Sequence, residues 1–291
     1  MRIYIDSRYR TPESASASDF TIELNESIQL PRNSKVRLHD IAVPYSWRTV
    51  EENLNQEIWL EERTGAPNQW VKRVLRVIPG QYDGRSLATA LQTLLNTDSA
   101  WNLLSNGGLT APYTVTYSEQ IGSIRIALAS GAVGTSVLWA DGPIKALQPA
   151  AALAWTGGNA KDPRTFNRNL RIDANVTIGA GTTPFTSQFV DLISIKDLYV
   201  HSTSLGNLSN VGPRIGDRSC LCKVAVTAGY GYLIHSDGSS WEFAECNTGQ
   251  LVKRLSFTLQ DATGAIVPLH GCEWSFALTF SDPLDEGGQM P

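Results

Sequence analysis

The feature that most constrains the fold is a succession of short strand-like runs separated by turn residues. The most regular runs are RIYID at 2–6, FTIEL at 20–24, YTVTY at 113–117 and SIRIAL at 123–128. In each run apolar and polar residues alternate, so that every second side chain lies on the same face of a strand. A chain built mainly from such runs is typical of an all-β sandwich or barrel.

Helical periodicity is confined to one segment, RSLATALQTLLN at 85–96. Its leucines at 87, 91, 94 and 95 form a single apolar stripe on a helix. Asp83 or Ser86 can cap its start, because their side-chain oxygens accept from free backbone N–H groups. The sequence therefore predicts one amphipathic helix in a β-rich chain.

Further strands are expected on both sides of this helix. The sequence predicts them at 35–43, 58–62, 71–78, 189–201, 221–227, 230–235, 252–260 and 274–280. An Asp-Ala-Thr-Gly turn at 261–264 leads into a short strand at 265–267. The stretch 129–187 is rich in Gly, Ala, Thr, Asn and Pro, and we expect a surface excursion or an interface segment there.

The order of the strands suggests a discontinuous sandwich. Three predicted strands precede residue 50 and five follow residue 186, and together they make the eight strands of a jelly roll. We therefore predict a jelly-roll domain from 1–49 and 186–291, with an inserted α+β subdomain at 50–185 that contains the helix. The alternative is two sequential β domains that divide within 130–185.

Composition limits the classes of partner. The 291 residues carry a net charge of −4 and only 18 % charged residues, which fits a surface built for contact with neighbours. The chain has no basic block, so nucleic-acid binding is not predicted. No apolar run approaches the ~20 residues that span a bilayer, and no signal-like segment follows the first residues.

The four cysteines, at 220, 222, 246 and 272, do not have the spacing of a zinc site. Free buried thiols in a reducing host compartment are the favoured interpretation. A disulfide or a zinc ion remains the alternative.

Residues that could carry catalysis are scattered. His39, His201, His235 and His270 belong to no recognised catalytic motif, and we expect structural or surface roles for them. The acidic pairs at 51–52 and 61–62 are expected in solvated turns, and the Gly-Gly pairs at 107–108, 157–158 and 287–288 in loops. No catalytic residue, metal site or cofactor is predicted.

The tryptophans provide the candidate contact residues. Trp139 and Trp155 lie in the loop-rich stretch, where an aromatic residue either anchors an interface or fills a small local core. Together with Trp101 they are the candidate interface or receptor contacts.

The opening IYIDSRYRT…SDFTIELNESIQLPRNSKVRLHDIAVPYSW resembles the start of jelly-roll vertex (penton) or minor capsid proteins of virophages and polinton-like DNA viruses. The segment IPGQYDGRSLATALQTLLN and the tail LVKRLSFTLQDATGAIVPLHGCEWSFALTF are similar to a helix unit and a closing hairpin of the same proteins. The resemblance covers about two-thirds of the chain and implies no catalytic residue.

The resemblance implies a virion protein that forms a homopentameric ring and contacts neighbouring major capsid proteins. The insertion would face outward, where it could meet a host receptor, and the segment 7–19 would tie to neighbouring capsomers. A receptor- or glycan-binding spike module is the alternative. A glycan lyase on a β-sandwich is a third hypothesis.

Overall fold

The computed structural model divides the chain into two compact units. Unit 1 combines Met1–Trp47 with Ile195–Pro291, and unit 2 is Arg48–Ser194. The chain thus leaves unit 1 once and returns to it once. The structure describes residues 1–30, 34–64, 70–99, 109–132, 134–140, 165–172, 174–205, 208, 210–213, 217–238, 243–246 and 251–281.

Sixteen strands and two α-helices make up the regular structure of the described residues. The first strands are β1 (Arg2–Asp6), β2 (Asp19–Gln29), β3 (Ser34–Pro44), β4 (Glu57–Thr64) and β5 (Trp70–Arg76). The helix α1 (Gly84–Asn96) precedes β6 (Tyr113–Ser118), β7 (Ser123–Leu128) and β8 (Gly134–Leu138). The one-turn helix α2 (Asn167–Leu170) precedes β9 (Val176–Gly179) and β10 (Phe185–Thr186). The last strands are β11 (Asp197–His201), β12 (Cys220–Ala225), β13 (Leu233–Asp237), β14 (Ala244–Cys246), β15 (Leu251–Gln260) and β16 (Ser275–Ser281).

Unit 1 is a sandwich of two antiparallel sheets. One sheet has the order β1-β16-β3-β13, with β14 also pairing with β3, and the other has the order β12-β11-β15-β2. Each sheet combines strands from the two ends of the chain, as in a jelly roll. The predicted fold class is confirmed.

Aromatic side chains from both ends of the chain fill the core of unit 1. The ring of Phe20 on β2 lies 5.7 Å from that of Trp274, which directly precedes β16. Phe276 on β16 stacks on Trp274 at 4.8 Å and meets Phe257 on β15 edge-on at 4.9 Å. Such pairs stabilise a core beyond the area they bury. Neither end of the chain could close this core alone.

Unit 2 has two smaller sheets and the long helix. The sheets have the orders β5-β4-β8-β9 and β10-β7-β6. Asp83 accepts from the backbone N–H of Ser86 at 2.7 Å, and the Ser86 hydroxyl accepts from that of Asp83 at 3.0 Å. This capping box satisfies two otherwise free donors at the start of α1. Leu87, Leu91 and Leu95 on the helix are buried in the core of unit 2.

The two ends of unit 2 lie together. The hydroxyl of Ser194 donates to the carbonyl oxygen of Arg48 at 2.9 Å. A segment whose ends meet in this way can be inserted between two strands of a host domain with little disturbance to that domain.

Several local predictions are wrong. The stretch 129–187 contains β8, β9, β10 and α2 in its described parts, although no strand was expected there. The run predicted as a strand at 189–201 forms one only from Asp197, and Tyr230–Tyr232 form a turn before β13. The segment 7–19 packs on unit 1, where Ser7, Ala17 and Ser18 are buried, and its contact with neighbouring capsomers stays a prediction.

Candidate assembly surfaces

The IDSRYR segment fixes the start of unit 1. Asp6 caps a 3-10 turn at Ser7–Tyr9 by accepting from the backbone N–H of Arg8 at 2.9 Å. The guanidinium of Arg8 also donates to both carboxylate oxygens of Asp6, at 2.6–3.0 Å. These hydrogen bonds lower the pKa of Asp6. The turn places the ring of Tyr9 next to β1.

Ser7 ties this turn to the other end of the chain. Its buried hydroxyl donates to the Glu273 carboxylate and accepts from the backbone N–H of Trp274 at 3.0 Å. Arg10 donates to both oxygens of Glu273, at 2.7 and 2.8 Å. Burial alone would raise the pKa of Glu273, but the hydrogen bonds from Ser7 and Arg10 outweigh it and lower the pKa.

The outer face of the first sheet of unit 1 carries a shallow depression. Ile5, Ile41, Ile234 and Phe276 are buried in the core, so their neighbours along each strand lie on the opposite face. One row of this face runs across the four strands in register, through Asp6, Ser275, Ala42 and His235. The small side chains at its centre leave a depression of about 280 Å³, also lined by Tyr4, Tyr9 and Asp40.

The strand β1 forms one edge of this sheet, and β13, with β14 on the same side of β3, forms the other. Along β1, Met1 and Ser7 bond to β16 through their backbones. Because backbone groups alternate in direction along an antiparallel strand, those of Arg2, Tyr4 and Asp6 point away from β16. Along β13, Tyr232 and Gly238 bond toward β3, so the backbone groups of 233, 235 and 237 point away from it. Both edges therefore present outward-pointing backbone groups, at 2 and 4 on β1 and at 233 and 235 on β13.

Large side chains are exposed at both edges. Tyr4 and Tyr9 at the β1 edge are 73 % and 78 % exposed. Tyr230, Tyr232 and Leu233 at the β13 edge are 44 %, 72 % and 56 % exposed. We refer to these two groups as the β1 cluster and the β13 cluster. Exposed aromatic residues grouped in this way mark contact surfaces more often than isolated ones.

The β13 cluster is held in place by Tyr45, which follows β3. The backbone N–H of Tyr45 donates to the Tyr232 carbonyl at 2.9 Å, and the N–H of Gly231 donates to the Tyr45 carbonyl at 2.8 Å. Gly231 has φ +83°, a conformation that favours glycine. The ring of Tyr230 meets that of Tyr45 edge-on at 6.0 Å. These contacts hold the turn that carries the β13 cluster in one conformation.

Comparison with known proteins gives a structural likeness. No family model and no curated protein matches the chain. A crystal structure of the mavirus penton protein aligns with 97 % of this chain and 99 % of its own length, with a TM-score of 0.50 and 10 % sequence identity. The likeness supports the jelly-roll fold, and it extends over both units.

Of the three predicted contact residues, only Trp139 lies within the described residues. It follows β8 and is half-buried, and its indole N–H donates to a carboxylate oxygen of Glu61 at 3.1 Å. Trp101 and Trp155 lie outside the described residues. Their role in a contact stays a prediction.

The acidic pair Glu61–Glu62 does not lie in a solvated turn, and that expectation is wrong, whereas Glu52 is exposed in a turn as expected. Glu61 and Glu62 are adjacent in β4 and therefore point to opposite faces, yet both are fully buried. Glu61 accepts from the Arg63 guanidinium at 2.5 Å as well as from Trp139. Glu51 is also buried, and it accepts from the backbone N–H of Arg48 at 2.5 Å.

Glu62 is the centre of a buried polar network in unit 2. One of its oxygens accepts from the Arg73 guanidinium at 3.0 Å and from the hydroxyls of Ser99 and Tyr113, each at 2.9 Å. The Tyr113 hydroxyl also contacts that of Ser136. Burial and the charge of Glu62 raise the pKa of Tyr113 well above its usual value. Each of these groups has a partner, as a structural network requires.

His201 lies in a second polar cluster, at the end of β11. Its Nδ1 atom is 3.0 Å from the Ser219 hydroxyl and 3.4 Å from an Asp217 oxygen. A catalytic triad needs the acid and the nucleophile on different ring nitrogens, whereas here both approach the same one. Burial, and then the charge of Asp217, raise the pKa of Cys220 to about 11, so its thiol stays protonated. The cluster has the geometry of a structural contact.

Among the described residues, no group of three or more His, Cys, Asp or Glu side chains is arranged to hold a metal ion. None of the helices within the described ranges has both the length and the apolar character needed to cross a membrane.

The two tyrosine clusters were missed by the sequence reasoning. The IYI alternation does place Tyr4 on the face opposite Ile5, and this signal was available. The exposure of Tyr4 depends, however, on the small residues of the neighbouring strands, which only the strand register identifies.

Proposed function

We propose that the chain is a vertex (penton) subunit of an icosahedral virus capsid, and that five copies form a ring. The observation that carries the proposal is the likeness to the mavirus penton protein, which takes in nearly the whole of both chains. An isolated jelly-roll match would support many functions, because this fold serves lectins and enzymes as well as capsids. A match that also includes the insertion between β3 and β11 is more specific.

In this proposal unit 1 forms the shell and unit 2 faces outward. The partners are further copies of this chain and the neighbouring major capsid proteins, and the protein resides in the virion. A ring requires a different surface on each side of the subunit, since each copy contacts the next head to tail. The low share of charged residues, 18 %, agrees with a surface that is largely covered by neighbours.

A structural role also agrees with the polar clusters. The Glu62 network is closed to solvent, and the His201 cluster lacks the geometry of a nucleophile with its base. We therefore propose that the chain is not an enzyme.

Sedimentation equilibrium and electron microscopy of the purified chain test this function. We expect a mass close to five times 31.7 kDa and class averages with five-fold symmetry. A chain that stays monomeric over the whole concentration range, or rings of another symmetry, would contradict the proposal.

Receptor binding by unit 2 is a second candidate. The observation in its favour is Trp139, a half-buried residue whose indole N–H donates to Glu61, since stacking on a sugar requires an aromatic ring held in a fixed orientation. Glycan-array binding that is lost in Trp139→Ala and retained in Trp139→Phe would support it. Binding that is unchanged in Trp139→Ala, Trp155→Ala and Trp101→Ala would contradict it.

A further inference from the structure

We propose that the ring contact joins the β1 cluster of one copy to the β13 cluster of the next. This inference rests on the proposed function and assigns the surfaces that the ring would use. It places Tyr4 and Tyr9 of one subunit against Tyr230, Tyr232 and Leu233 of a second subunit.

The position of the clusters carries the first step. They lie on, or directly beside, the two terminal strands in the order β1-β16-β3-β13, which are separated by three strand spacings, about 14 Å. The surfaces are therefore different and lie on opposite sides of the sheet. Two different surfaces give a head-to-tail contact, which closes into a ring when the rotation per copy allows it.

Strand direction carries the second step. All three pairings in the order β1-β16-β3-β13 are antiparallel. Because the number of strands in this order is even, β1 and β13 run in opposite directions. If the sheet is repeated head to tail, β13 of one copy lies antiparallel to β1 of the next. The outward-pointing backbone groups of both edges are then positioned to meet.

The charges at both edges carry the third step. Asp6 at the β1 edge is paired with Arg8, and Arg10 is paired with Glu273. The segment 226–234, which bears the whole β13 cluster, contains no charged residue. The carboxylate of Asp6 and the guanidinium of Arg10 are therefore already paired beside the β1 cluster, and Arg2 is the exposed charge farther along β1. Tyrosines are among the residues that contribute most to the centre of an interface.

A complementation experiment tests this assignment. Tyr4→Asp damages only the β1 cluster and Tyr232→Asp only the β13 cluster. We expect each variant alone to lose the ring and to sediment as a monomer. An equimolar mixture should form a dimer, because the intact β13 cluster of the first variant still fits the intact β1 cluster of the second. Ile78→Asp is the control, since Ile78 is 75 % exposed in unit 2 and lies in neither cluster.

A cysteine pair provides a second measurement that does not depend on disrupting the contact. In Tyr4→Cys/Leu233→Cys, mild oxidation should produce a ladder of covalent oligomers, whereas each single variant should give none. The single variants also show whether an introduced cysteine forms a disulfide bond with one of the native cysteines. Circular dichroism of all variants verifies folding, which substitutions at these exposed positions should leave unchanged.

The outcomes separate the two proposals. If the wild type forms rings that persist in both aspartate variants, the contact lies elsewhere, and this inference is overturned while the proposed function stands. Rings lost in both variants without a dimer in the mixture would also overturn it. A wild type that forms no ring contradicts the proposed function and, with it, this assignment. A glycan that binds the depression beside Tyr4 while Tyr4→Asp keeps its rings would assign this face to a ligand instead.

Discussion

The two units bury different kinds of side chain. The core of unit 1 is apolar and rich in aromatic rings, which β2, β15 and β16 contribute. Unit 2 also has an apolar core, but it buries Glu57, Glu61 and Glu62 on a single strand. Unit 1 therefore depends mainly on packing between distant parts of the chain, whereas unit 2 depends in addition on a set of satisfied charges.

This difference has a consequence for specificity. Apolar cores tolerate many substitutions of similar volume, whereas a buried charge tolerates only its own partner. We expect unit 1 to be damaged by loss of volume and unit 2 by loss of a charge partner. The following substitutions test this contrast.

Loss of volume in unit 1 should have the largest effect. Phe20 is 1 % exposed and contacts the rings of Phe257 and Trp274. We expect Phe20→Ala to reduce the free energy of unfolding by about 3–5 kcal/mol. Urea denaturation followed by hydrogen exchange of individual peptides measures it, and protection should be lost in both 1–47 and 195–281. Loss confined to the N-terminal peptides would contradict a core shared by the two ends.

Removal of the charge partner should have the next largest effect, in unit 2. Arg73 pairs with Glu62 and also donates to the carbonyl of Leu95 near the end of α1, at 3.2 Å. Arg73→Met leaves Glu62 buried without the Arg73 cation. We expect the free energy of unfolding to fall by about 2–4 kcal/mol, because only 11 % of the Arg73 side chain is exposed and water screens the pair little.

The matched control lies on the same strand. Arg76 is 62 % exposed and pairs with Glu57 at 3.2 Å, so that Arg76→Met should cost at most about 1 kcal/mol. Adding Glu62→Gln to Arg73→Met should recover part of the stability, because it removes the unpaired charge. Equal losses in the two arginine variants would show that the Glu62 network is not what distinguishes unit 2.

A packing substitution in unit 2 provides a third test. A Cβ on Gly84, at the start of α1, would lie 2.2 Å from the ring of Tyr117. We expect Gly84→Ala to cost about 1–3 kcal/mol, because the ring must move. Thermal unfolding measures it. Adding Tyr117→Leu, which removes the ring, should reduce that cost, and a cost independent of residue 117 would contradict the explanation.

The predictions succeeded where a local pattern was sufficient. The strands at 2–6 and 123–128 have the predicted bounds, and the helix predicted at 85–96 begins one residue earlier. Alternation identifies such strands because one face is buried and the other is not. The count of strands on the two sides of the helix then indicated the jelly roll.

The predictions failed where burial or strand formation depends on a residue that is distant in the sequence. Nothing near Glu61 and Glu62 in the sequence shows that Trp139 and Arg73 will cover them, so a solvated turn was the ordinary interpretation. The short strands β8 and β9, GTSVL and VTIG, have little pattern of their own and pair with each other. Conversely, the run from Phe189 to Lys196 has an apolar composition but forms no strand, and Phe189 and Ile193 are half exposed.

A fourth test removes the contact that joins the chain ends in unit 1. Ser7→Ala removes the acceptor of the Trp274 backbone N–H and a donor to Glu273. We expect a loss of about 1–2 kcal/mol, which lies below that of Phe20→Ala, because Arg10 still satisfies Glu273. Glu13→Ala, at an exposed position of the same segment, is the control for thermal unfolding.

The smallest effect should come from acid. The pKa of Asp6 is lower in the folded protein than its unfolded value of about 3.8, so its contribution to stability is present above that value and lost as the pH falls through the folded pKa. Asp6→Asn keeps a capping side chain but removes the charge, and it should cost less than about 1 kcal/mol at pH 7 because Arg8 is exposed. At pH 2 the variant and the wild type should unfold at nearly the same temperature. The difference in unfolding temperature should appear as the pH rises from 2 to 7. Glu13→Gln, at an exposed residue, should unfold at the temperature of the wild type throughout this range. If the unfolding temperatures of Asp6→Asn and the wild type differed by the same amount at pH 2 and pH 7, the Asp6–Arg8 pair would not be the source of the difference. The turn beside β1 would then depend on the uncharged contacts of Ser7 alone.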